Sequence, residues 1–127
     1  MHKIWNIEIN KYTFIEKRIH TNEVIITDER IRHICERRGL EFYDKYKTKF
    51  AEIIKDPDYI FKDCDRQHTI LVCKRIVEYQ KYVNIVLRLA METDNPKYKN
   101  SIITAIEEGD KRFKQRLRNN EPLYKKE

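Results

Sequence analysis

Residues 82–91 read Tyr-Val-Asn-Ile-Val-Leu-Arg-Leu-Ala-Met, and their alternation decides the fold class. Val83, Ile85, Leu87, Leu89 and Met91 share one face of an extended chain, with Asn84, Val86, Arg88 and Ala90 on the other. The first face is wholly apolar and must be covered by helices. Arg88 on the second face suits a phosphate contact or a cross-strand pair with Glu78. Upstream, Thr69 to Tyr79 is a long β-branched run, and Tyr59-Ile60-Phe61 is a shorter strand closed by the polar turn Lys62 to Arg66. Downstream, the turn formers Thr93-Asp94-Asn95-Pro96 lead to a strand from Ser101 to Ile106. Consecutive strands with short connections read as a four-stranded antiparallel meander.

Ahead of these strands the period changes. Ile4 to Ile9 alternates as a short strand, and Val24-Ile25-Ile26 is a second apolar run that pairs with it or leads straight into a helix. Thr27 or Asp28 caps that helix, Glu29 suits its first turn, and Ile31, Ile34 and Cys35 form its apolar stripe up to Gly39. A second helix runs from Leu40 to Lys55 on Tyr43, Tyr46, Phe50, Ile53 and Ile54, and Asp56-Pro57 ends it. A basic helix from Gly109 to Arg118 has Phe113 and Leu117 as anchors. The expected fold is therefore α+β: N-terminal helices on a four-stranded antiparallel meander, with a C-terminal basic helix. No linker or repeat divides the chain. Residues 1–127 form one domain, with 1–23 as an N-terminal strand and extension and 24–127 as the core.

A net charge of +6 favours polyanionic partners, nucleic acid before an anionic membrane surface, although interspersed acidic residues also fit a plain solubility device. Cys35, Cys64 and Cys73 are odd in number and fit a reduced, cytoplasmic setting. No signal peptide or membrane-spanning run is evident. Two glycines cannot build a nucleotide-binding glycine loop. His68, Cys64 and Cys73 lack the paired spacing of a zinc site, so neither metal nor cofactor is expected.

The helix from Thr27 holds His33 among Arg30, Arg32, Arg37 and Arg38. Histidine moves protons at neutral pH, and arginines grip phosphate. At ~100° per residue Arg38 falls with Ile31, Ile34 and Cys35, while His33 falls on the opposite flank with Glu29 and Arg37. The plainer alternative for His33 is a surface pair with Glu29. For Arg38 it is a side chain that snorkels past Gly39 or offsets the helix dipole.

Several short stretches recur in a familiar order: ITDERIRHI (26–34), IIKDPDYI (53–60), a strand led by Thr69, VLRL (86–89), NSIITA (100–105) and LYK (123–125). This series resembles the phage-associated barnase–EndoU–colicin–RelE-like nuclease families, over about Val24 to Lys125. The resemblance implies metal-independent RNA cleavage by attack of the ribose 2′-hydroxyl on the adjacent phosphate. It makes His33 the proton-transfer residue, Arg88 a phosphate clamp, and Ser101 and Thr104 hydrogen-bond donors; Thr69 stands at a recurrent polar position. Where the families tend to carry a second histidine, Glu-Arg-His, this chain has Arg38. An arginine there can stabilise charge but cannot act as a base. His68 is the candidate to replace that histidine, and Arg37 and Lys111 are further phosphate contacts. Ser101 and Thr104 alternate onto opposite faces of a regular strand, so both meet one ligand only if a bulge intervenes. The implied partners are RNA and an immunity- or antitoxin-like protein, in the cytoplasm of a bacterial or phage-infected cell. The alternative is a module on the same fold that binds RNA or protein without catalysis.

Overall fold

The 82–91 alternation produces the central strand of a large sheet in a computed structural model that describes residues 2–7, 12 and 18–127. In chain order the elements are β1 (His2–Asn6), β2 (Glu23–Ile26), α1 (Asp28–Arg38), α2 (Leu40–Tyr46), a 3-10 turn (Lys47–Lys49) and α3 (Phe50–Lys55). Then follow β3 (Tyr59–Lys62), β4 (Thr69–Ile76), β5 (Lys81–Arg88), β6 (Asn100–Glu108), α4 (Asp110–Asn119) and β7 (Tyr124–Lys125). Ile9, the end of the expected first strand, lies outside the described residues.

The α+β class holds, but the four-stranded antiparallel meander does not. Among the described residues the sheet has seven strands in the order β1-β2-β6-β5-β4-β3-β7, and it is mixed. β2 runs parallel to β6, and the other neighbours are antiparallel. The parallel pairing spans only Val24 opposite Asn100 and Ile25 opposite Ser101. Too short to leave a periodic signal, it is fixed by tertiary contacts: the Asn100 amide accepts from the Ala90 N–H at 2.8 Å and donates to the Thr21 carbonyl at 2.8 Å.

Local chemistry sets the element ends. The Thr27 hydroxyl accepts from the Arg30 N–H at 3.2 Å, capping α1. Gly39 stops it at φ 95°, a left-handed angle that suits a residue without Cβ, while its N–H donates to the Cys35 carbonyl at 2.9 Å. The expected long second helix is two helices, because Lys47–Lys49 tightens into a 3-10 turn. β4 stops at Ile76 rather than Tyr79, since the chain reverses through Gln80 at φ 53°.

The two faces of the sheet differ. One carries Val83, Ile85 and Leu87 of β5 with Ile70 and Val72 of β4, closed by Ile34, Tyr46, Phe50, Ile53 and Ile54 from the helices α1 to α3. All of these are almost fully buried, and each such aliphatic or phenyl group contributes about 1.5–3 kcal/mol. The other face is partly covered by α4. Phe113 stacks on Tyr82 with ring centroids 3.6 Å apart, and packs beside Tyr59 and Phe61. Beneath α4 lies a buried polar group: Arg116 grips Glu108 through two bonds of 2.9 and 3.0 Å, and the Asn84 amide donates to the same carboxylate.

β6 is bulged. Thr104 stands opposite Val86 and Ile102 opposite Leu87, so Ile103 is an extra residue. Directly opposite residues point to the same face. Thr104, beside Val86, and Ser101, opposite Arg88, therefore share the face away from the main core.

Candidate functional site

β2 leaves β6 after Ser101, and Thr27 turns the chain at once into α1, which packs along β6. The flank of α1 bearing Arg30, His33 and Arg37 is thereby set beside the bulge. The spacing i, i+3, i+7 keeps these three on one helix side, next to the buried Ile34. From the far side comes Arg66, in the turn between β3 and β4. That turn is braced: the Asp63 N–H donates to the Thr69 carbonyl at 3.0 Å, and Asp63 accepts from the Asp65 N–H at 2.9 Å and from Arg66 at 3.0 Å. Arg30, His33, Arg37, Arg66, Ile103 and Thr104 line one cleft of ≈ 90 Å³.

The cleft is strongly cationic. Arg66 is paired with Asp63, but among the described residues no carboxylate lies within ion-pair distance of Arg30 or Arg37. The His33 Nε2 lies 4.0 Å from the Glu29 carboxylate one turn upstream. An imidazole, an unused hydroxyl and arginine forks around a small opening suit a single phosphoryl group. Among the described residues no three His, Cys, Asp or Glu side chains gather as a metal site.

Three of the expected residues, His33, Arg37 and Thr104, meet in this cleft. Arg38 is exposed outside it. It lies along the same side of α1 as Ile31 and Ile34, but as the last helical residue before Gly39 it is exposed. Nor is His33 on the flank opposite the core: it sits beside Ile34, at the margin where helix and sheet meet. Arg88 is engaged elsewhere. It makes two bonds to Asp94, of 2.8 and 3.2 Å, and donates to the Leu89 carbonyl. Glu78 is not its partner and pairs with Lys49 instead. The Arg88 guanidinium and the Met91 N–H hold the Asp94 carboxyl below the usual carboxylate range.

The Thr69 hydroxyl donates to the Gln67 carbonyl at 2.9 Å and is buried. His68 takes a left-handed backbone (φ 55°) and offers its carbonyl to the Leu89 N–H at 2.9 Å; it lies in a groove along the turn 62–68. Ser101 lines a second depression, of ≈ 300 Å³, with Arg88 and Tyr98. Lys111 is exposed on the first turn of α4, whose start is tied to β4 by Arg75 and Asp110 at 3.0 Å, far from Arg88 along β5. Sequence reasoning names Arg30 only as one of the arginines around His33, with no role of its own, and Arg66 only as the end of a turn. The spacing of Arg30 to His33 and Arg37 was a usable signal. For Arg66 there was none, since its reach depends on how the turn folds back.

No protein family, curated protein or solved structure matches the chain. The chemistry of the cleft therefore carries the functional reading. No described helix is long and apolar enough to cross a membrane.

Proposed function

We propose that the protein is an RNA-cleaving nuclease that holds the scissile phosphodiester in the cleft between α1, the β6 bulge and the β3–β4 turn. The observation that carries this reading is the convergence of His33 and Thr104 with Arg30, Arg37 and Arg66. In the proposed reaction the His33 imidazole takes the proton of the ribose 2′-hydroxyl as its oxygen attacks the adjacent phosphorus. A cyclic phosphate forms, and the bond to the 5′-oxygen breaks. The arginines and the Thr104 hydroxyl stabilise the charge that builds on the phosphoryl oxygens. With Arg38 outside the cleft, His33 is the imidazole available, and solvent protonates the leaving oxygen. Turnover is therefore slow.

The ordered motifs resembling the phage-associated nucleases support the same reading. They bring with them the expectation of a bacterial or phage-infected cell and of a neutralising immunity- or antitoxin-like protein. The test is cleavage of RNA in EDTA. Wild-type protein yields cyclic-phosphate ends and His33→Ala does not; absence of any RNA cleavage sinks the proposal. A second reading, RNA binding without turnover, is favoured by the Arg88–Asp94 pair and the outward Arg38. It predicts salt-sensitive RNA affinity in a protein that cleaves nothing.

A further inference from the structure

The depression beside Ser101 lies on the same sheet face as the cationic cleft. Arg88 stands opposite Ser101 and Val86 opposite Thr104, with Ile25 next to Ser101 across the parallel pair. Arg88 and Val86 are two positions apart on β5, so across the bulge Ser101 and Thr104 are ~6.6 Å apart at ~3.3 Å per residue. Neighbouring nucleotides of one strand can therefore occupy the two sites at once.

This second depression has the components of a base platform. Ile25 and Tyr98 offer apolar and aromatic surface, and Lys97, Lys99 and Arg88 surround it with positive charge. Lys99 is paired with Glu23 at 3.1 Å and Arg88 with Asp94, while Lys97 has no ion-pair partner among the described residues. Tyr98 is 56% exposed and stacks on no other ring among the described residues. An exposed aromatic on a mobile loop would lose much of its binding energy to ordering, but this loop is pinned. Asp94 accepts from Arg88 and from the Met91 N–H at 2.8 Å. Asn95 accepts from the Lys97 N–H at 2.9 Å through its side chain and from the Tyr98 N–H at 2.9 Å through its carbonyl. Arg88 is thus spent on building the platform rather than on gripping phosphate.

We infer that the ligand is single-stranded RNA, with an unpaired base stacked on Tyr98 while an adjoining phosphate sits among Arg30, Arg37 and Arg66. The inference rests on the proposed cleft and adds strand state to it. A duplex keeps its bases stacked on one another and offers no free ring face to Tyr98.

The probe is a 2′-O-methylated tetranucleotide carrying 2-aminopurine, which lacks the attacking hydroxyl and loses fluorescence when its base stacks. Wild-type protein and Tyr98→Phe quench the probe, whereas Tyr98→Ala does not and binds it roughly 10-fold more weakly. Affinity for the same sequence as a duplex is unchanged by Tyr98→Ala. If Tyr98→Ala quenches and binds like wild type while Arg37→Ala loses affinity, the base platform falls and the cleft stands. Should Tyr98→Ala lose binding while Arg37→Ala keeps it, the cleft reading fails and the stacking site stands alone. Failure of the wild-type protein to bind the strand overturns both.

Discussion

The two faces of the sheet use the same strands for opposite ends. On the face covered by α1, α2 and α3, Ile70, Val72 and Ile76 of β4 and Val83, Ile85 and Leu87 of β5 are aliphatic and buried. On the other face the same strands present Tyr82, Asn84 and Arg88 beside Val86, and a single helix covers one end of it. One face is closed and insensitive to its surroundings. The other depends on charges, rings and pairings that can be rearranged without opening the main core. The lesson is that stability and candidate chemistry are separated by the thickness of one sheet.

The largest effect expected from breaking this division is on the closed face. Phe50→Ala removes a fully buried ring and destabilises the protein by about 3–5 kcal/mol, read from denaturant unfolding. On the other face, Arg116→Ala leaves the buried Glu108 carboxylate without its fork and costs about 3 kcal/mol. The triple variant Arg116→Met, Glu108→Leu and Asn84→Leu, which leaves no member of the network unpaired, recovers most of that loss. If the triple variant were no more stable than Arg116→Ala, the polar group would belong to the core after all.

A smaller, local effect follows from acid. Asp94 titrates below its unfolded-state value because of Arg88 and the Met91 amide, so its contribution is present above the ordinary carboxylate range. It is lost as the pH falls through the depressed value. Amide exchange at Met91, corrected for the intrinsic pH dependence, speeds up there, while exchange at Ile85 keeps its protection. The smallest effect on stability comes from Arg37→Ala, expected within ~0.5 kcal/mol of wild type. Its RNA affinity nevertheless falls and its salt dependence becomes shallower.

What could be read from the chain differed in the same way between the faces. Alternation from Val83 to Leu87 and the helical spacing of Tyr46, Phe50, Ile53 and Ile54 marked the closed face, because apolar burial repeats with a period. The open face has no period to read. Arg88 stood out as a lone cation on a strand, yet its partner Asp94 sits in the following turn and becomes a neighbour only when that turn closes. The bulge at Ile103 was equally hidden, since Ile102-Ile103 reads as strand in either register. Likewise β2 joins β6 through two residues, too few for any pattern. This pairing makes the sheet mixed and adds β1 and β2 to the four expected strands, and the two-residue β7 on β3 supplies the seventh.

The bulge also bears on how this molecule tolerates insertions and deletions. Ile102 and Ala105 face the main core on either side of Ile103 and Thr104, which both occupy the open face. Deleting Ile103 would leave Ile102, Thr104 and Ala105 in perfect alternation, so the core would keep its register. Only the cleft would change shape, as Thr104 drew back from α1. A one-residue deletion in a central strand usually turns a sheet inside out; here it would alter the site and spare the fold.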